Sequence, residues 1–138
     1  MKTFFVSGKP QGKERPRFAN GIVYTPRKTL DYETKIKGCF LIDGGKKSTK
    51  ELNIDILAVF KIPQSYTKKR KKEIVERGLR PDKKPDADNI AKIVMDALNG
   101  VAYDDDKQVV DLRVAKVYSE DREGLEITIG EADGMETV

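Results

Sequence analysis

The sequence predicts an α+β fold: a single compact domain in which a mixed β-sheet packs with helices. Three observations carry this expectation. Residues 51–60, ELNIDILAVF, alternate apolar and polar side chains as a half-buried strand does. Residues 88–100, DNIAKIVMDALNG, repeat apolar residues at helical spacing and stop on Asn-Gly. Strand-like and helix-like segments are mixed along the chain without regular alternation, which argues α+β. At 138 residues the chain can bury one real core and is too short for two full domains.

Taken in order, residues 2–7, KTFFVS, read as a first strand. The stretch GKPQGKERPRFANG that follows is a loop of glycine, proline and basic residues. Residues 21–25, GIVYT, read as a short second strand, hairpin-paired with the first. Thr25 followed by Pro26 signals a helix start. Leu30, Ile36, Phe40 and Leu41 would form that helix's apolar stripe before Gly44-Gly45 ends it. In the strand at 51–60 the inward face is Leu52, Ile54, Ile56, Ala58 and Phe60. Thr67 caps a helix running to about residue 77, which carries Lys68, Lys69, Arg70, Lys71 and Lys72. Residues 78–87 form a polar loop. Asp88 opens the next helix, with Ile90, Ile93, Val94, Ala97 and Leu98 as its buried face. Residues 108–118 and 124–130 read as two strands, and the short SEDRE link predicts an antiparallel hairpin. Residues 131–138 read as a frayed tail on a domain spanning 1–138.

Absences narrow the chemistry. There is no histidine, so Ser-His-Asp and Cys-His nucleophile systems are excluded, as is a histidine base. One cysteine, Cys39, forms neither an intramolecular disulfide nor a cysteine-histidine zinc site. No apolar run approaches the roughly 18 residues of a membrane span. The N-terminus turns polar too soon for a secretory signal, so the expected compartment is the cytoplasm, with no membrane partner. Formal net charge is +4, and it is split. Residues 1–85 hold 22 basic and 9 acidic side chains; residues 86–138 hold 5 and 14. A basic section of that density suits a polyanion, and the acidic section would repel nucleic acid unless a cation sits in it, for which a divalent metal is the candidate.

The informative stretch is residues 84–111. Asp86 and Asp88 sit two apart before a helix, where extended backbone sends both to one side and the macrodipole favours anions. Asp104, Asp105 and Asp106 form a second acidic run just before a strand. If that strand pairs near the helix start, aspartates from the two segments meet. Three such carboxylates together call for a hard cation, Mg²⁺ or Mn²⁺. Lys92 lies one helical turn beyond Asp88, and its ammonium can neutralise a phosphate in its transition state. Carboxylates, metal, lysine and basic surface together describe phosphodiester hydrolysis. Each part also has a plainer reading. Asp88 can be an N-cap, Lys92 can pair with Asp96, the DDDK run can be a solvated turn, and KKRKK a solvated helix face. An EF-hand starting at Asp86 fails, with Ala91 and Ala97 where Gly and Glu are needed. GGKKST lacks the earlier glycine of a Walker A loop.

These residues resemble the RusA-type Holliday junction resolvases, small Mg²⁺-dependent endonucleases often carried by prophages. GKPQGKERPRF is similar to that family's GxPxxKxRPR segment, and PDADNIAKIVMDALNGVAYDDDKQV to its DxDN…K…DAL…G…DDxQV signature. The resemblance implies Asp86, Asp88 and Asp106 as metal ligands, with Asp105 as the other acidic position of the DDxQ pair. The preceding Asp104 leaves open which member of the run meets the metal. It implies Lys92 as the essential lysine, and an intertwined homodimer acting on branched DNA. A dimer also suits a four-way junction that must be cut symmetrically in two strands. Lys13, Arg15, Arg17 and Lys68 to Lys72 are the expected phosphate contacts, and Phe18 either stacks on an unpaired base or joins the core. The expected function is Mg²⁺-dependent resolution of four-way junctions in DNA recombination or repair. Its rivals are a non-catalytic branched-DNA-binding protein and a less selective flap or single-strand nuclease.

Overall fold

The computed structural model describes residues 1–138. In chain order it contains β1 (Lys2–Ser7), β2 (Arg17–Ala19), β3 (Ile22–Tyr24), α1 (Arg27–Ile42), β4 (Leu52–Lys61), α2 (Lys68–Arg77), α3 (Ala87–Leu98), β5 (Val109–Ser119) and β6 (Gly124–Glu131). A single 3-10 turn, Asp106–Gln108, precedes β5. Three helices and a mixed sheet make the fold α+β, as the sequence predicts. The main sheet has the order β1-β6-β4-β5, with β6 antiparallel to β1 and β4, and β5 parallel to β4.

Apolar periodicity builds the core. Leu52, Ile54, Ile56, Ala58 and Phe60 of β4 are buried, the face the sequence assigns inward. Ile90, Ile93, Val94, Ala97 and Leu98 of α3 are buried as expected and pack in the same cluster as Phe4, Val6, Ile36, Phe40 and Ile127. Full burial of each large aliphatic side chain contributes about 1.5–3 kcal/mol. Because this stripe fixes the rotation of α3, its other face, with Asp88 and Lys92, is held toward solvent.

Several expectations are corrected. The segment at 22–24 does not pair with β1, which pairs with β6. It forms a separate ribbon with β2, inside the stretch read as loop, and Asn20 and Gly21 turn it with φ of 52° and 75°. Such left-handed pairs match the twist of a two-residue hairpin. β5 and β6 are not a hairpin either: β4 lies between them, because it satisfies its backbone on both edges. In α1 the inward stripe is Thr29, Tyr32, Ile36 and Phe40, while Leu30 and Leu41 are exposed. The helix at 87–98 has Asp86, not Asp88, at its N-cap. α2 is capped as predicted, Thr67 Oγ1 accepting from the Arg70 amide at 3.1 Å, and it buries only Ile74.

Candidate active site

The N-terminal loop, α1 and α3 are bolted together around Lys13. The Lys13 amide donates to the Asn89 carbonyl at 2.9 Å. Gly12 lies so close to α3 that a Cβ on it would come within 2.8 Å of Pro85 Cβ and 2.9 Å of Asn89 Cβ. Only glycine permits that approach. The Lys13 ammonium reaches Glu33 of α1 at 2.9 Å and Asp96 of α3 at 3.1 Å. Burial alone would lower its pKa, but the hydrogen bonds to Glu33 and Asp96 outweigh that and raise it. Lys13 was expected to contact phosphate; its charge is instead spent inside the fold.

This pairing bears on Lys92. The plainer reading gave Lys92 an ion pair with Asp96, one turn along the helix. Asp96 pairs with Lys13 instead, and Lys92 takes part in none of the ion pairs of the chain. Its ammonium stands exposed on the face that carries Asp88. At the head of α3, Asp86 has extended backbone and its side chain caps nothing. Asp88 sits in the first turn and is not the cap. Both carboxylates are exposed at the positive end of the helix.

The second acidic set lies beside the other end of α3. Gly100 donates to the Tyr103 carbonyl at 2.8 Å, and the Tyr103 hydroxyl donates to the Met95 carbonyl. These contacts hold the 104–106 run near the helix terminus. Gln108, which the sequence reading did not single out, fastens the run. Its Oε1 accepts from the Asp104 and Asp105 amides at 2.8 and 3.2 Å, and its Nε2 donates to the Ser48 and Lys50 carbonyls at 2.9 and 3.0 Å. Asp105 and Gln108 form a capping box, and the D-x-x-Q spacing was its visible signal.

The three aspartates differ. Asp104 pairs with Lys47 at 3.1 Å. Asp105 accepts from the Lys107 amide at 3.0 Å, which holds its carboxyl below the ordinary range. Asp106 is pushed above that range, first by a hydrogen bond shared with the Asp105 carboxyl, then by desolvation and by the charges of Asp105 and Asp96. Crowded carboxylates of this kind are relieved by a cation.

Within one chain the two acidic sets are not gathered into one cluster. Asp88 and Asp96 are eight residues apart on α3, roughly 12 Å at the rise of an α-helix. No group of three or more acidic or cysteine side chains converges closely enough to hold one ion. The condition under which the two segments would meet, a strand pairing near the helix start, is not observed: β5 pairs with β4, and the run before it lies beside Met95 and Asp96. The donors are all oxygen, which fits Mg²⁺ or Mn²⁺ in type. Each pair also fits in number, since Mg²⁺ takes one or two carboxylates and completes its shell with water and phosphate.

Of the other expected contacts, Arg15 and Arg17 are exposed, and Arg17 is within 3.6 Å of Glu14. On α2, Lys68 and Lys69 are exposed, Arg70 stacks 3.7 Å over the Tyr66 ring, Lys71 donates to the Gln64 carbonyl and Lys72 pairs with Glu76. Phe18 is 73% exposed, so it is not in the core of the chain. No helix is long and apolar enough to cross a membrane.

The family described as "Endodeoxyribonuclease RusA" matches residues 7–130. A Bacillus subtilis (strain 168) protein named "Uncharacterized protein YqaN" is 39% identical over 128 residues, covering 86% of this chain and 88% of that protein.

Proposed function

The chain belongs to the RusA endodeoxyribonuclease family, and from that premise we propose that it is a Mg²⁺-dependent, structure-selective nuclease that resolves four-way DNA junctions in the cytoplasm by paired, symmetric cuts. The single observation that carries the proposal is the exposed turn of α3. There Asp86 and Asp88 stand free at a helix N-terminus with an unpaired Lys92 beside them.

Asp86 and Asp88 would hold the ion together with Asp106, or Asp105 in its place, and a second copy of the chain would supply the residue of the 104–106 run. A two-fold dimer would bring the head of each α3 toward the far end of its partner's. The β2–β3 ribbon supports such a dimer. Phe18, Ile22 and Val23 are 73%, 64% and 66% exposed. A two-stranded ribbon with apolar residues on both faces is marginal in water until something covers it. When bound, the ion would screen the phosphate's negative charge and lower the pKa of a water, whose hydroxide form is the nucleophile. Lys92 neutralises charge that develops on the phosphate oxygens during the attack. Asp104 is already taken by Lys47, which favours Asp106 as the ligand.

A mixing experiment tests both the chemistry and the shared centre. Asp88→Asn and Asp106→Asn chains are each expected to be inactive on a four-way junction with Mg²⁺. Mixed and re-equilibrated, they regain nicking, because one kind of heterodimer site is intact. Full activity of either variant alone removes that residue from the mechanism, and mixtures that stay inert refute the shared centre. Wild-type protein that binds junctions without cutting them in Mg²⁺ would leave the non-catalytic reading. Equal cutting of flaps and linear duplex would leave the unselective one.

A further inference from the structure

A cleft of about 460 Å³ opens between the N-terminal loop, the first turn of α1 and the segment entering α3, and Asp86 stands in its wall. Four lysines line it: Lys9, Lys13, Lys28 and Lys84. Lys13 is neutralised within the fold by Glu33 and Asp96. The other three belong to none of the ion pairs of the chain. Two carboxylates, Glu14 and Asp86, share the lining, but Glu14 is drawn to Arg17 at 3.6 Å and neither pairs with these three lysines, so their positive charge is left to favour an added anion. The local backbone adds to the field: Pro26 offers no side-chain cap to α1, and the first turn of that helix has no acidic residue. The cavity has the size of a site for a nucleotide, far too small for a duplex.

We propose that this cleft seats a backbone phosphate next to the scissile one on the cut strand, held by Lys9, Lys28 and Lys84. The inference rests on the nuclease reading above, which puts the scissile phosphate at Asp86. A strand continuing past Asp86 crosses the cleft. The three lysines come from three segments, and the Lys13 clamp holds the loop carrying Lys9 against α1 and α3. The seat is thus formed before DNA arrives, so it fixes the register of the strand over the carboxylates as well as adding affinity. None of the three lysines was among the residues expected from the sequence to touch DNA.

The test couples a protein change to a DNA change. A four-way junction is made with a neutral methylphosphonate in place of one phosphate flanking the cut position, first on one side and then on the other. Binding is measured in EDTA, so no strand is cut. At one of the two positions wild-type protein is expected to lose about tenfold in affinity. The Lys9→Gln, Lys28→Gln, Lys84→Gln triple variant is expected to bind the normal junction more weakly and to show less than a twofold further loss with the methylphosphonate. The three side chains are exposed, so its thermal midpoint should match wild type. A Lys68→Gln, Lys69→Gln variant on α2 should retain the tenfold methylphosphonate effect. Losses that multiply at both positions in the triple variant would overturn the proposal while leaving the nuclease reading intact. Wild-type protein that fails to cut the junction in Mg²⁺ overturns both.

Discussion

Replacing Lys13 by methionine separates two roles for a basic residue of the N-terminal loop. If Lys13 serves DNA, the change weakens binding and leaves stability alone. The geometry predicts the reverse. The ammonium bridges Glu33 and Asp96, and the Lys13 and Glu33 side chains are only 16% and 15% exposed. Methionine keeps most of the stem but leaves two carboxylates without their cation. Breaking a buried pair from one side costs about 3–5 kcal/mol, and water reaching the 36% exposed Asp96 screens part of that, so about 2–3 kcal/mol is expected. For a chain of this length that is a fall of roughly 10 °C in Tm. The pKa of Lys13 is raised in the folded state. The stabilisation is therefore fully present below the unfolded lysine value of about 10.4 and lost as pH climbs through the higher folded one. Thermal melts followed by circular dichroism should give a constant gap between wild type and variant from pH 7 to 9, closing in strong alkali. The salt slope of junction binding should not change. A variant that melts with wild type but binds with a slope shallower by about one would refute the reasoning and return Lys13 to the phosphate backbone.

Other residues make similar demands. Lys92→Ala should lower the single-turnover cleavage rate about 100-fold or more with little change in junction affinity, as loss of one charge-stabilising donor does; a fall in affinity alone would make Lys92 a binding residue. Gln108→Ala removes four hydrogen bonds from the 104–106 run and should cost about 2–3 kcal/mol. Chemical denaturation measures that, and a loss under about 0.5 kcal/mol would show the run is held by other means. Phe18→Asp should leave the monomer folded but shift sedimentation toward the single chain, whereas an unchanged dimer would show that the ribbon is not at its interface.

The parts of the fold that were legible are those that bury a repeating face. The α3 stripe and the inward side of β4 follow from spacing alone, since a core of fixed position selects one face of each element. The β2–β3 ribbon buries nothing within its chain, so no burial pattern announces it, and only Asn20-Gly21 hints at the turn. The pairing of β5 was misread because a short link favours a hairpin locally, whereas β4 inserts between the two strands through contacts distant in sequence. The site divides the same way. Asp86 and Asp88 were visible as a pair two apart at a helix start, and Lys92 as the residue one helical turn beyond Asp88. The capture of Lys13 by Glu33 and Asp96 was not, because charge in a sequence does not say which opposite charge will fold against it. For the same reason Lys9, Lys28 and Lys84 look like any other surface lysines until three separated segments meet.

The distance between the head of α3 and the aspartates beyond its tail also bears on safety inside a cell. If every working centre draws on two subunits, a lone newly made polypeptide is unarmed. Cutting then rises with the square of subunit abundance at low expression, and scarce copies leave the chromosome alone. A nuclease organised in this way needs no separate inhibitor while it is rare.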